Sequence, residues 1–172
     1  HESIDPIEIF KELPKSGGLN DLYKDQAEIL KSWFVNRNQK DMVVELNTGG
    51  GKTLVGLLIA LSTMREIGEG VLYLVENNQL AEQVVSQAEK LRIPAKRYEN
   101  SRSADADFFN GESILVGSYQ ALFNGKSIFG VQGAREVHPV GAVIVDDAHA
   151  SLGTLRDLFS FQINFKDDQV LY

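Results

Sequence analysis

The chain has 172 residues, 43% of them hydrophobic and 24% charged, which is the length of one domain and the composition of a soluble globular one rather than a disordered or membrane protein. Its formal net charge of −7 argues against a domain that holds nucleic acid through a bulk positive field, because phosphate neutralisation dominates non-specific affinity. The absence of cysteine excludes a disulfide framework and a thiolate zinc site, and three scattered histidines are poor material for a metal centre.

No apolar run approaches the roughly 18 residues that span a bilayer, and the opening HESIDPIEIF lacks the basic-then-apolar order of a signal peptide. The expected location is therefore cytoplasmic. Residues 1–20 carry Pro6, Pro14 and the pair Gly17-Gly18 and read as an irregular lead-in that has room for a short helix. From Asp21 to Asn38, Leu22, Ala27, Leu30, Trp33 and Phe34 recur at helical steps, predicting an amphipathic helix docked on a core.

Short β-rich runs then alternate with helical stretches: a strand at MVVEL (42–46), a helix over 52–67, a strand at VLYLV (71–75) and a helix over 78–91. A short strand at AKRY (95–98), a strand at ILVGS (114–118), a helical turn at 119–123 and a strand at AVIVD (142–146) leading into a last helix complete the series. Near-continuous apolar strands of this kind predict a parallel sheet covered on both faces. Residues 21–172 are thus expected to form one α/β domain. The helix over 52–67 is apolar nearly all round and should be central. Segments 99–112 and 124–140 lack periodicity and are expected to be weakly ordered. The densest basic cluster, Lys90, Arg92, Lys96 and Arg97, reads as a solvated helix end in preference to a binding groove.

LNTGGGKT (46–53) lies between a predicted strand and a predicted helix, where a phosphate-binding loop belongs. Three consecutive glycines let backbone N–H groups converge on an anion, and the helix N-terminus adds favourable partial charge. Asn47, Thr48, Gly49, Gly50 and Gly51 would line the cradle. Lys52 would reach the β- and γ-phosphates of ATP, and Thr53 would coordinate Mg²⁺. Leu46 occupies the position that the general G-x-x-x-x-G-K-[ST] form gives to glycine. In AVIVDDAHA (142–150), a buried strand delivers two carboxylates to the sheet edge where open α/β sheets bind ligands. The plainer reading of that pair is a helix N-terminus whose Asp residues cap and complement the dipole.

Together these segments resemble superfamily 2 DEAD/DEAH-box helicases, in the first of their two RecA-like motor domains. The string from Thr48 to Thr53 resembles motif I and DDAH resembles motif II, with Asp146 matching the acid that holds Mg²⁺ through water and His149 the terminal histidine. Asp147 stands where the family has the glutamate that orients and deprotonates the attacking water, and it is one methylene shorter. The resemblance therefore implies Lys52, Asp146 and Asp147 as the catalytic set of an ATP-driven motor on DNA or RNA.

LYKDQAEIL (22–30) resembles the Q motif, with Gln26 placed to read the adenine edge and Tyr23 either stacking near the base or anchoring the helix. VLYLVENNQLAEQV (71–84) resembles motif Ia, with Asn77, Asn78 and Gln79 in place of its usual Pro-Thr start. They are either phosphate ligands or, for Asn77, a plain N-cap. ILVGSYQALFNG (114–125) resembles the motif Ic region, where Ser118 and Tyr119 would approach the strand or else cap and pack. Motifs III to VI are missing, so the resemblance implies a second RecA-like domain in the native chain as the source of the site-closing arginines. The pattern looks most like large bacterial Ski2-like helicases, some of which serve anti-phage defence beside partner proteins. A catalytically silent nucleotide-binding module, or a translocase of a restriction or remodelling complex that does not unwind, are the alternatives.

Overall fold

The computed structural model describes residues 2–14, 21–39, 42–46, 51–123, 129 and 140–146. Among them, helices α1 (Pro6–Glu12), α2 (Lys24–Asn36) and α3 (Lys52–Ile67) precede strand β1 (Val71–Val75) and helix α4 (Asn78–Lys90). Strand β2 (Ala95–Arg97), a 3-10 turn (Ser101–Ser103), α5 (Ala106–Phe109), β3 (Ile114–Ser118), α6 (Tyr119–Phe123) and β4 (Ala142–Val145) follow. The strands form one sheet in the order β2-β3-β1-β4. Every pairing is parallel, with Tyr73 opposite Val116 on one side and Ile144 on the other.

β1 and β3 are buried at every position, as a sheet covered on both faces requires. The pleat sends alternate residues to opposite sides. Val71, Tyr73, Val75, Ile114 and Val116 join the core built with α1, α2, α3 and α4, while Leu72, Leu74 and Leu115 meet Tyr98, Phe108 and Tyr119 on the other face. α3 is central: residues 54–62 are all buried. Gly51 in the left-handed region precedes it, and Gly68 in the same region ends it, as glycine without a Cβ readily does.

The lead-in is an integral part of this core. Asp5 caps α1 by accepting from Ile7 N at 2.8 Å, Pro6 fits the first helical turn, and Ile9 and Phe10 are buried. Ser62 donates to the Ile4 carbonyl and Arg65 Nη1 to the Ser3 carbonyl at 2.8 Å, tying the segment to the end of α3.

Two expectations need correction. Residues 42–46 have no ladder partner among the described residues, and Val43 is 82% exposed. Their β-branched run fits a pleated surface, but an extended segment becomes a strand only where a neighbour pairs with its backbone. Met42 and Leu46 instead pack individually against the core. The predicted weak order of 99–112 is also overturned. Asn100 caps the 3-10 turn and Asp105 caps α5, Phe108 is fully buried, and Lys96 Nζ binds Asp105 and Asp107 at 2.6 and 2.7 Å. Short polar caps and one aromatic anchor order this stretch, and neither produces a hydrophobic period. Most of 124–140 and the predicted last helix lie outside the described residues.

Gly111 closes this stretch with φ +70°, and a Cβ there would lie 2.6 Å from the Gly68 carbonyl carbon. Gly111→Ala should therefore cost about 1–3 kcal/mol of stability. Chemical denaturation measures it, and an unchanged midpoint would contradict this backbone contact.

Candidate nucleotide site

A parallel sheet gathers all its C-terminal strand ends at one edge, and there Asn77 follows β1, Ser118 ends β3 and Asp146 follows β4. β1 leads outward to β2 on one side, while β4 lies on its other side. The switch in strand order thus falls at β1, the position where such sheets open a ligand crevice.

α3 begins at this crevice. Gly51 has φ 71° and ψ 44°, and no side chain caps the helix, so the first-turn N–H groups are donors that an anion can satisfy. No acidic residue sits in the first turn to repel one. Lys52 and Thr53 are half-buried there. Asn47, Thr48, Gly49 and Gly50, which complete the sequence motif, lie outside the described residues, as do Asp147 and His149.

Gln26 is 2% exposed. Its Oε1 accepts from Tyr23 N at 2.9 Å at the start of α2, and a Cβ on Gly51 would collide with its Nε2. The amide thus lies directly against the last glycine of the loop. Tyr23 is 70% exposed, so it does not anchor α2 in the core, and its ring is accessible for stacking.

Asp146 is held from three directions. Its N–H donates to the Leu74 carbonyl at 2.8 Å, extending the β1–β4 ladder by one residue. Its carbonyl accepts from the Tyr119 hydroxyl at 2.5 Å, and its Oδ2 accepts from the Tyr73 hydroxyl at 3.1 Å. Burial, and then the adjacent Asp146 carboxylate, push the Tyr73 hydroxyl well above the usual tyrosine range, so Tyr73 remains a proton donor at neutral pH. Space for that hydroxyl comes from Gly56, where a Cβ would lie 2.5 Å from Tyr73 Oη. Gly56 is one helical turn beyond Lys52. Neither Tyr73 nor Gly56 was singled out from sequence, although a lone hydroxyl in an aliphatic strand and a glycine inside a helix were both signals.

The other predicted residues divide. Asn77 is the N-cap of α4, accepting from Leu80 N at 2.9 Å, while Asn78 and Gln79 are exposed on its first turn. Ser118 is buried and accepts from Ala121 N at 3.3 Å. Tyr119 is 1% exposed, so capping and packing are what these two side chains do here. In the basic cluster, Lys96 and Arg97 are ion-paired, the latter with Glu82.

No group of three or more acidic or histidine side chains that could hold a metal occurs among the described residues. Thr53 and Asp146 are oxygen donors of the kind Mg²⁺ accepts when phosphates and water supply its other ligands. These donors fit an Mg²⁺ ion whose remaining ligands are phosphates and water.

The family model for the DEAD/DEAH box helicase matches residues 23–167. A probable ATP-dependent helicase of Methanocaldococcus jannaschii is 26% identical over 163 residues, covering 87% of this chain and 18% of that protein. The ATP-dependent DNA helicase Hel308 of Thermococcus kodakarensis is 26% identical over 145 residues, covering 83% of this chain and 12% of that protein. The chain spans less than a fifth of the length of these relatives. No solved structure matches it significantly, and no helix among the described residues is long and apolar enough to cross a membrane.

Because Asn77 satisfies a first-turn N–H of α4, Asn77→Ala should lower stability by about 1 kcal/mol, whereas Asn78→Ala should leave it unchanged. Paired thermal melts check the contrast, and equal effects would refute the capping assignment.

Proposed function

This chain belongs to the DEAD/DEAH box helicase family, and from that membership we propose that it is the ATP-binding motor domain of a DNA or RNA helicase or translocase. The observation that carries the reading is the approach of α3 to Asp146. Tyr73 Oη lies against Gly56 and 3.1 Å from Asp146 Oδ2, so an uncapped, glycine-headed helix start and an acid at the sheet edge belong to one crevice. Phosphoryl transfer needs that pair, because its catalysis is mostly positioning and charge stabilisation.

In this reading residues 47–51 and the first turn of α3 cradle the phosphates, and Lys52 neutralises the β- and γ-oxygens. Thr53 and, through water, Asp146 hold Mg²⁺, which when bound spreads the charge developing on the transferred phosphoryl group. Asp147 orients and deprotonates the attacking water. Gln26, which lies against Gly51, is placed to border the adenine, and the exposed ring of Tyr23 is available to stack on it. The exposed Asn78 and Gln79, with the α4 N-terminus, face the nucleic-acid backbone, while Ser118 and Tyr119 act as supports beneath them. A second RecA-like domain supplies the arginine fingers and the other half of the groove. The Ski2-like affiliation, the cytoplasmic location and a role beside a defence partner belong to the same proposal.

Lys52→Ala should weaken binding of Mg-ATP, and calorimetry showing wild-type affinity would refute the phosphate assignment. In the full-length protein, Asp147→Asn should reduce nucleic-acid-stimulated ATP turnover by about 10²–10⁴-fold while sparing ATP binding. Wild-type turnover in that variant would require another base. Absence of turnover in the wild type would instead favour a silent nucleotide-binding module, for which the shorter Asp147 is the specific argument. These 172 residues alone should hydrolyse ATP very slowly, since arginine fingers contribute about 10³–10⁵-fold.

A further inference from the structure

We propose that Tyr73 is a positioning residue for Asp146, fixing the carboxylate that receives the metal's waters and linking it mechanically to the phosphate-binding helix. The inference rests on the nucleotide-site reading above. β1 is VLYLV, aliphatic apart from this residue, and the ring is 1% exposed. Packing alone would be met by phenylalanine, and a buried hydroxyl without a partner would be costly. Tyr73 instead delivers its hydroxyl to Asp146 Oδ2 at 3.1 Å.

The helix is adapted to that delivery. Glycine within a helix costs about 1 kcal/mol relative to alanine, yet residue 56 of α3 is glycine, and a Cβ there would lie 2.5 Å from Tyr73 Oη and 2.9 Å from Cε2. The hydroxyl is thus wedged between the α3 backbone and the carboxylate. With Oδ2 bonded, rotation of the carboxylate about its Cβ–Cγ bond is restricted, so the ligand direction is set before nucleotide arrives. Outer partners of this kind orient metal-holding groups, and their removal typically weakens metal affinity or activity about 10–100-fold. Because the wedge bears on α3 one turn beyond Lys52, a shift of that helix is transmitted to the carboxylate through one side chain.

The test compares wild type, Tyr73→Phe, Asp146→Asn and the double variant in the full-length protein. It follows Mg²⁺-dependent ADP binding by calorimetry, with ADP in EDTA as the metal-free control. Tyr73→Phe should raise the Mg²⁺ concentration needed for half-maximal stabilisation of the ADP complex about 10-fold, with ADP affinity in EDTA unchanged. It should lower kcat for ATP more than it alters KM. In the Asp146→Asn background the same substitution should change Mg²⁺ dependence by less than about twofold, since its partner has been altered. Gly56→Ala, which drives the hydroxyl from its seat, should shift Mg²⁺ dependence in the same direction. Wild-type Mg²⁺ dependence in Tyr73→Phe, or an undiminished effect in the Asp146→Asn background, overturns the proposal. A wild type that binds no ADP in either condition overturns the nucleotide-site reading beneath it.

Discussion

Burial of α3 on all sides is the constraint from which the site follows. With residues 54–62 enclosed, the helix cannot roll or slide on the sheet without moving the side chains packed around it, because close-packed interiors transmit such shifts. Its first turn is therefore delivered to a fixed point above the C-terminal strand ends. The apolar side chains of this helix thus determine where its first turn lies.

Asp146 illustrates how the same framework holds an acid at the sheet edge. Its backbone N–H continues the β1–β4 ladder, its carbonyl is held from α6 by Tyr119, and its side chain is held from β1 by Tyr73. Backbone and side chain are fixed by different elements, so neither can move without breaking a bond to the other face of the sheet. Tyr73 belongs to the α3 side of the core and Tyr119 to the opposite one. Both faces thus converge on one residue.

The parallel sheet, the burial of its two inner strands and the central helix were legible because each leaves an apolar mark, whereas the strand expected to be buried at β4 has Val143 53% exposed. Strands such as VLYLV and ILVGS are near-continuous apolar runs, and the glycine-lysine-threonine run stands between apolar segments. Residues 42–46 carried a similar β-branched run and yet have no ladder partner among the described residues, since pairing is a property of two segments while propensity belongs to one. The order in 99–112 was hidden for a related reason. It comes from Asn100, Asp105 and Phe108 acting singly and from a glycine turn closing on residues 68–70. At the site, Asp146 was visible as an acid ending a strand. Its dependence on Tyr73 and Gly56 was not, because those residues lie far from it in sequence and meet only through the sheet register.

The ion pairs of β2 have a consequence for electrostatic behaviour. Lys96 is clasped by Asp105 and Asp107, and Arg97 by Glu82, so these cations are already compensated by fixed carboxylates. A surface of that kind has few free cations with which to neutralise phosphates and displace the counterions condensed on them. Its contribution to any contact with a polyanion should then vary only shallowly with ionic strength.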